Sequence, residues 1–435
     1  MIMVRYVILL MVVILVSLDS YCQNLNQSGY LTQDGAWCWF SDPRAIYIDG
    51  QVITGWVKSD GTVEAAQFNV EDGSTRTSEL YFRLERDDHN NPAFVQTAEG
   101  HILAMYTRHS LKDLFVNVIE YGTGDFQCTE PQMIHPIDQD ELEKFPRATI
   151  TYANPYHLAA EDDRLYCFGR WTGFKPNMMW SEDQGSTWSK SKVFITNYPF
   201  DPGNRPYVKY FSDGNSRIHF LFTDGHPHVE PTNSVYYAYY ENDNFYRADG
   251  TLICTIDNIP FEPGDASLIY ESTLEEGRAW IADIGQDEAG NAVVLYTKSP
   301  EDTVHRYWYA RFVDGAWINN EICASGKWFP QTLPGQRERE PYYFGGMSIH
   351  PGNANVVYLS RQVNGVFEIE RWQTENYGES WTREPVTTES DLDNVRPYVP
   401  RGLTKDDPEI VIWMENRKYT HYTDFSTAIK FDVRQ

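Results

Sequence analysis

The chain has 435 residues, of which 41% are hydrophobic, and a net charge of −26. That is enough apolar material for a large core, and the acidity argues against nonspecific binding to nucleic acid. The six cysteines (22, 38, 128, 167, 254 and 323) form no Cys-x-x-Cys pair, which excludes a disulfide scaffold or a zinc finger.

The first segment reads as an address rather than as part of the fold. Arg5 precedes the apolar run VILLMVVILV (7–16) and the polar SLDSYCQN. Ten apolar residues suit a signal peptide and fall short of the roughly 20 that span a membrane. Residues 1–22 are expected to be an export signal cleaved near Cys22, which makes the protein secreted or periplasmic. Lipid attachment at Cys22 is the weaker alternative, because bulky Tyr21 precedes it. Residues 23–435 are expected to form one domain that acts as a monomer.

From there on, short alternating apolar runs end in turn chemistry, the pattern of an all-β chain. A proline-marked strand start recurs in chain order as SDPRAIY (41–47), HNNPAF (89–94), YANPYHL (152–158), GNRPYVKY (203–210), REREPYYF (337–344) and NVRPYVP (394–400). The unit AWIADIGQDEAGNAVVLYTKS (279–299) lacks the proline but keeps the turn and the strand. Helical spacing is confined mainly to DQDELEKF (138–145). Two further segments, SEDQGSTW (181–188) and TENYGESW (374–381), fit the Asp-box pattern S/T-x-D/N-x-G-x-S/T-W, in which polar residues tie a hairpin turn and the Trp packs between strands. Seven repeated units with Asp-box turns predict a seven-bladed β-propeller of the sialidase-like kind.

Alignment of the units on their prolines brings out four side chains. His89 lies three residues before Pro92, and Tyr152 three before Pro155. His109 follows Pro92 by 17 residues, and Arg170 follows Pro155 by 15. Two matched pairs on consecutive blades place His89, His109, Tyr152 and Arg170 on one face of the disc. Single histidines and tyrosines are ordinarily loop or packing residues; the matched offsets are what single these out. The set suits β-elimination on a uronic acid. Arginine grips and neutralises the carboxylate, which makes the neighbouring C–H proton removable. Histidine or tyrosine can then act as base and as acid. No cofactor is needed for this chemistry. His226 and His228 in TDGHPH (223–228) are candidates for a structural metal.

The segments DGAWCWFSDPRAIY, DDHNNPAF with GHILAMYTRH, TYANP with RLYCFGRW, and RPYVKY with HFLFTDGHP resemble the bacterial neuraminidase-repeat propellers that include ulvan lyases of marine bacteria. The resemblance is strong over about 35–222 and looser beyond. It implies catalytic roles for His89, His109, Tyr152 and Arg170, a further substrate contact at Tyr207 or Tyr210, and cleavage between sulfated rhamnose and a uronic acid. The basic residues Arg205, Lys209 and Arg108, with Arg44, Lys58 and Arg361, lie near strand ends and are candidate receptors for substrate sulfate. The partner that the resemblance implies is a sulfated, uronic-acid-containing polysaccharide, and an aromatic content of 15% suits sugar binding in general, since flat rings stack on sugar faces. The rival readings are a sialidase-like glycoside hydrolase and a noncatalytic glycan-binding propeller.

Overall fold

The computed structural model describes residues 26–120, 126–227, 229–301, 304–326 and 345–434. The expected signal (1–22) and the strand-start unit 337–344 lie outside these residues. The described strands form seven antiparallel sheets, and their order gives a seven-bladed β-propeller. Blades are numbered here by their first strands: Ala45–Ile48, Ala93–Gln96, Ala148–Leu158, Val208–Ser212, Arg278–Gln286, Met347–His350 and Asp393–Tyr398. The described proline-marked units all fall at these strands, one to a blade. Proline is tolerated there because a strand start or a bulge need not supply every ladder N–H.

The ring is closed by its own start. Gln27–Thr32 pairs antiparallel with Asp424–Arg434, Gln27 opposite Val433, and so becomes the outermost strand of blade 7. Closure removes the two open edges that a linear array of sheets would expose.

Helix is nearly absent among the described residues. The helical spacing at 138–145 appears as Gln139–Lys144, capped by Asp138, whose carboxylate accepts from the backbone N–H of Asp140 and Glu141. The segments 181–188 and 374–381 occupy equivalent turns between the third and fourth strands of blades 3 and 6. Their hydrogen bonds match. Gly185 N–H donates to Ser181 Oγ and Gly378 N–H to Thr374 Oγ1, both at 2.8 Å. Trp188 and Trp381 donate Nε1–H to the carbonyls of Gly185 and Gly378 at 3.1 and 3.0 Å. Both indoles are half-buried against the core, since that bond holds one edge at the turn.

Apolar side chains fill the spaces between blades, but the first strands also carry a buried polar network. Asp42 pairs with Arg44 at 2.9 Å and with Lys209 of blade 4. Asp283 of blade 5 pairs with Arg401 and accepts from Ser348 of blade 6 at 3.1 Å. Buried charges persist where each has a partner. This network ties together residues from opposite sides of the ring.

Candidate active site

Strand starts and second-strand ends lie on one face, and this is where the four matched residues meet. His89 sits in a single 3-10 turn, Asp88–Asn90, whose N-cap is Asp87. Its ring stacks on that of His109, with centroids 4.1 Å apart and planes 13° from parallel. One carboxylate serves both rings: Asp87 Oδ1 lies 2.8 Å from His89 Nδ1, and Asp87 Oδ2 lies 2.9 Å from His109 Nδ1. Asp88 Oδ1 stands 3.0 Å from the same His89 nitrogen. Asp88 is in turn bound by Arg396 (2.7 Å) and by the hydroxyl of Tyr419, both from blade 7.

The two imidazoles are driven apart in charge. Burial works against a charged His89, but Asp87 and Asp88 outweigh it and raise its pKa well above the ordinary value. His109 is pushed down to about 4 by burial and by the neighbouring His89, against the pull of Asp87. At neutral pH the pair is therefore one imidazolium and one neutral imidazole. A neutral His109 that donates Nδ1–H to Asp87 keeps the Nε2 lone pair available.

Tyr152 and Arg170 complete the group. The ladder between Ala148–Leu158 and Arg164–Thr172 shifts register between Thr151 and Asn154, and Tyr152 in this bulge has φ 71°. A non-glycine residue in the left-handed region is a backbone cost, and here it re-aims the side chain. The ring of Tyr152 lies 5.6 Å from that of His89, and the Arg170 guanidinium stands 5.1 Å over the Tyr152 ring. Trp171 Nε1–H holds the Tyr152 carbonyl at 3.1 Å. Arg170 also donates to the Tyr207 hydroxyl. Burial favours the neutral Tyr207 phenol, but Arg170, Arg205 and His89 overcome it and lower the pKa.

The remaining expected residues separate clearly. Of the Tyr207 and Tyr210 alternatives, Tyr207 joins the group. Tyr210 is packed among Tyr156, Phe168 and Phe220, and burial raises its pKa well above the ordinary phenol value. Lys209 is corrected outright: it is 2% exposed and spent on Asp42 and the Trp39 carbonyl, so it cannot receive sulfate. Arg44 is likewise buried on Asp42, Arg361 pairs with Glu370 at 2.7 Å, and Lys58 lies 3.7 Å from Glu64. Arg108 lies 4.0 Å from Asp113. Arg205 is half-buried near Phe174. His226 packs 5.2 Å from the ring of Tyr207 and 4.9 Å from that of Trp280, while its expected partner His228 lies outside the described residues.

Residues 52–325 match the model of the BNR repeat-containing family. The chain belongs to that family. Among solved structures, this BNR-repeat propeller is similar to a PL25 ulvan lyase bound to -[GlcA(1-4)Rha3S]-, at 11% identity and TM-score 0.69 over 93% of this chain and 95% of the other. It is also similar to the polysaccharide lyase Uly1, at 14% identity and TM-score 0.61 over 95% and 100% of the two chains. At these identities the likeness establishes the fold. No curated protein sequence matches the chain.

Several members of the site in this BNR-repeat chain were not singled out from sequence. Asp87 and Asp88 directly precede His89, so an acidic pair beside a histidine was the available signal. Tyr422 presents its edge to both histidines, at 4.8 and 5.1 Å, and no local pattern marks it. Asp87, His89 and His109 could each offer one metal-ligating atom, all within 4.8 Å of one another. Both Asp87 oxygens and both Nδ1 atoms already make the 2.8 and 2.9 Å hydrogen bonds, so a cation bound through those atoms would have to displace the protons between them. A cavity of about 820 Å³ lies on the opposite face, at turns of blades 4, 5 and 6. Its main charges are already matched, Arg217 with Glu241 and Arg311 with Asp287, which leaves no acid–base set there. Beside Arg170 only about 10 Å³ is enclosed, room for one water, so substrate would have to meet the site from its open face.

Proposed function

We propose that this protein is a polysaccharide lyase that cleaves an ulvan-type sulfated polysaccharide by β-elimination at a uronic acid. The observation that carries the reading is the stacked histidine pair, held on the one carboxylate of Asp87, beside the Tyr152–Arg170 couple. Arg170 would grip the uronate carboxylate and neutralise it. Neutral His109 would take the C5 proton through Nε2. The electron pair forms the C4=C5 double bond as the C4–O4 bond breaks. Cationic His89 and Arg170 would stabilise the enolate-like charge that develops between these events. Tyr152, hydrogen-bonded to the acidified Tyr207, would return a proton to the departing O4.

The likeness to solved lyases, one of them holding a uronate–sulfated rhamnose ligand, supports the substrate class. On the same reading residues 1–22 direct export, and 23–435 act as a single monomeric catalytic propeller. The test is incubation of the purified protein with ulvan and with unsulfated uronans. Product should absorb in the ultraviolet through its new conjugated double bond. New reducing ends without that absorbance would point to hydrolysis, and binding without new ends would point to a glycan-binding module.

A further inference from the structure

Three guanidinium groups gather around one phenyl ring on the face that carries the histidines. The Cζ atoms of Arg147, Arg170 and Arg205 stand 3.6, 4.3 and 5.4 Å from the centroid of Phe174. Each residue is fixed by a different piece of backbone. Arg147 directly precedes the first strand of blade 3, and its carbonyl accepts from Gly173 N–H at 2.8 Å. Phe174 lies in the turn between the second and third strands of that blade, at φ 62°. Arg205 ends the loop before blade 4, which Lys175 pins by donating to the carbonyls of Asp201 (2.8 Å) and Asn204.

In a chain of net charge −26, such a cluster would ordinarily be neutralised by its own carboxylates. Here it is not. Among the described residues Arg147 donates to the Pro202 carbonyl at 3.3 Å and pairs with no acidic side chain. Arg205 Nε is buried and has no hydrogen-bond partner. Burial, Arg170 and Arg205 all act on Arg147 in the same direction, lowering its pKa, and no anion opposes them. Contact with the Phe174 ring offsets part of this repulsion. An arriving anion would relieve the rest.

We propose that Arg147 and Arg205, spaced by Phe174, form a subsite for a second acidic oxyanion of the glycan. This group is a sulfate ester or a carboxylate on the sugar next to the one whose carboxylate meets Arg170. That placement on the neighbouring sugar rests on the lyase reading; the anion site itself does not. The planar forks suit either oxyanion through paired N–H donors. Such a subsite would make an acidic protein selective for polyanionic glycans, with its cations concentrated where the substrate lies.

The experiment measures binding, so it is informative even without turnover. Affinity electrophoresis would compare the wild type with Arg147→Gln, Arg205→Gln and the double variant, each checked by thermal melt. The probes are a sulfated rhamnan without uronate, an unsulfated uronan, and ulvan, which carries both groups. Each lost guanidinium should weaken binding on the order of tenfold, the scale of one charged hydrogen-bond set. Arg147→Lys and Arg205→Lys should recover part of the loss. A loss confined to the rhamnan assigns the site to sulfate, and one confined to the uronan assigns it to carboxylate. Equal binding of the double variant and the wild type to all three probes overturns the proposal, as does failure of the wild type to bind any of them. Weakened binding by the variants of a wild type that yields no unsaturated product would sink the lyase reading and leave the subsite standing.

Discussion

His89 and His109 stack ring on ring at 4.1 Å and divide one carboxylate, Asp87, between their Nδ1 atoms. The arrangement favours the charged form of one of two chemically identical side chains and the neutral form of the other. It also makes their titration a direct test of which one removes a proton.

His109, with its pKa lowered to about 4, is already neutral over the whole physiological range. The acid limb of kcat/KM should therefore fall near that value rather than near the ordinary histidine value of about 6.5. Activity lost on acidification only through the lower range supports His109 as base. A limb at the ordinary value counts against it.

His89 has the opposite shift, so its effect on stability has the opposite sign. Its folded pKa is raised, which means its stabilisation is fully present below about 6.5 and is lost as pH rises through the folded value. His89→Gln should melt well below the wild type at about pH 6, with the gap narrowing in alkali. A gap that widens with rising pH would show that the imidazolium is not the stabilising form.

For the chemical step, Arg170→Lys keeps the charge and loses the planar fork. Initial rates on ulvan should fall on the order of 10²-fold, the scale of one oriented donor to a developing oxyanion. Tyr152→Phe and His109→Ala should each lose about 10²- to 10⁴-fold. Near wild-type rates in both Arg170→Lys and Tyr152→Phe would remove the basis of the mechanism.

Gly169 has a steric duty to the site. A Cβ there would stand 2.2 Å from Trp171 Nε1 and 2.4 Å from the Tyr152 carbonyl, the two partners of the hydrogen bond that holds the bulge. Gly169→Ala should cost about 1–3 kcal/mol in denaturant unfolding. It should also reduce turnover in molecules that remain folded, because Tyr152 must move. Unchanged turnover would mean that the bulge does not position the phenol.

Arg396 and Asp88 are both almost fully buried, and Arg396 has φ 55°. Arg396→Leu removes the guanidinium from the Asp88 carboxylate and leaves His89 as its remaining cation, and unfolding free energy should drop by up to about 3–5 kcal/mol. Adding Asp88→Asn should return part of the loss. Equal stabilities of the single and double variants would argue against a charge-pair origin.

The propeller and the four matched residues were legible because they repeat. Blades share strand starts, so His89 with Tyr152 and His109 with Arg170 could be aligned without any contact being known. Tyr210 and Lys209 part from Tyr207 for different reasons. Val208–Ser212 sends alternate side chains to opposite sides, so Tyr210 enters an interblade core, whereas Lys209 shares the side of Tyr207 but is taken up by Asp42 of the ring's polar network. Arg396, Tyr419 and Tyr422 could not be found by any local pattern. They reach the histidine turn from about 300 residues away, and only the closed ring makes them neighbours.

Closure by the first strand also sets when the protein can work. All the side chains assigned here to the elimination step lie at or before Tyr207, yet the shell behind His89 comes from blade 7. The Asp88 N–H donates to the Tyr422 carbonyl, and the Asp88 carboxylate is held by Arg396 and Tyr419. Blade 7 is complete only when Gln27–Thr32 docks on the C-terminal strand. Long-range pairings of this kind form late, because the loop they close is nearly the whole chain. On the proposed reading, a chain cut short of its last blade would carry every group assigned to the reaction and lack the shell that holds His89, so completing the fold would also be what activates it.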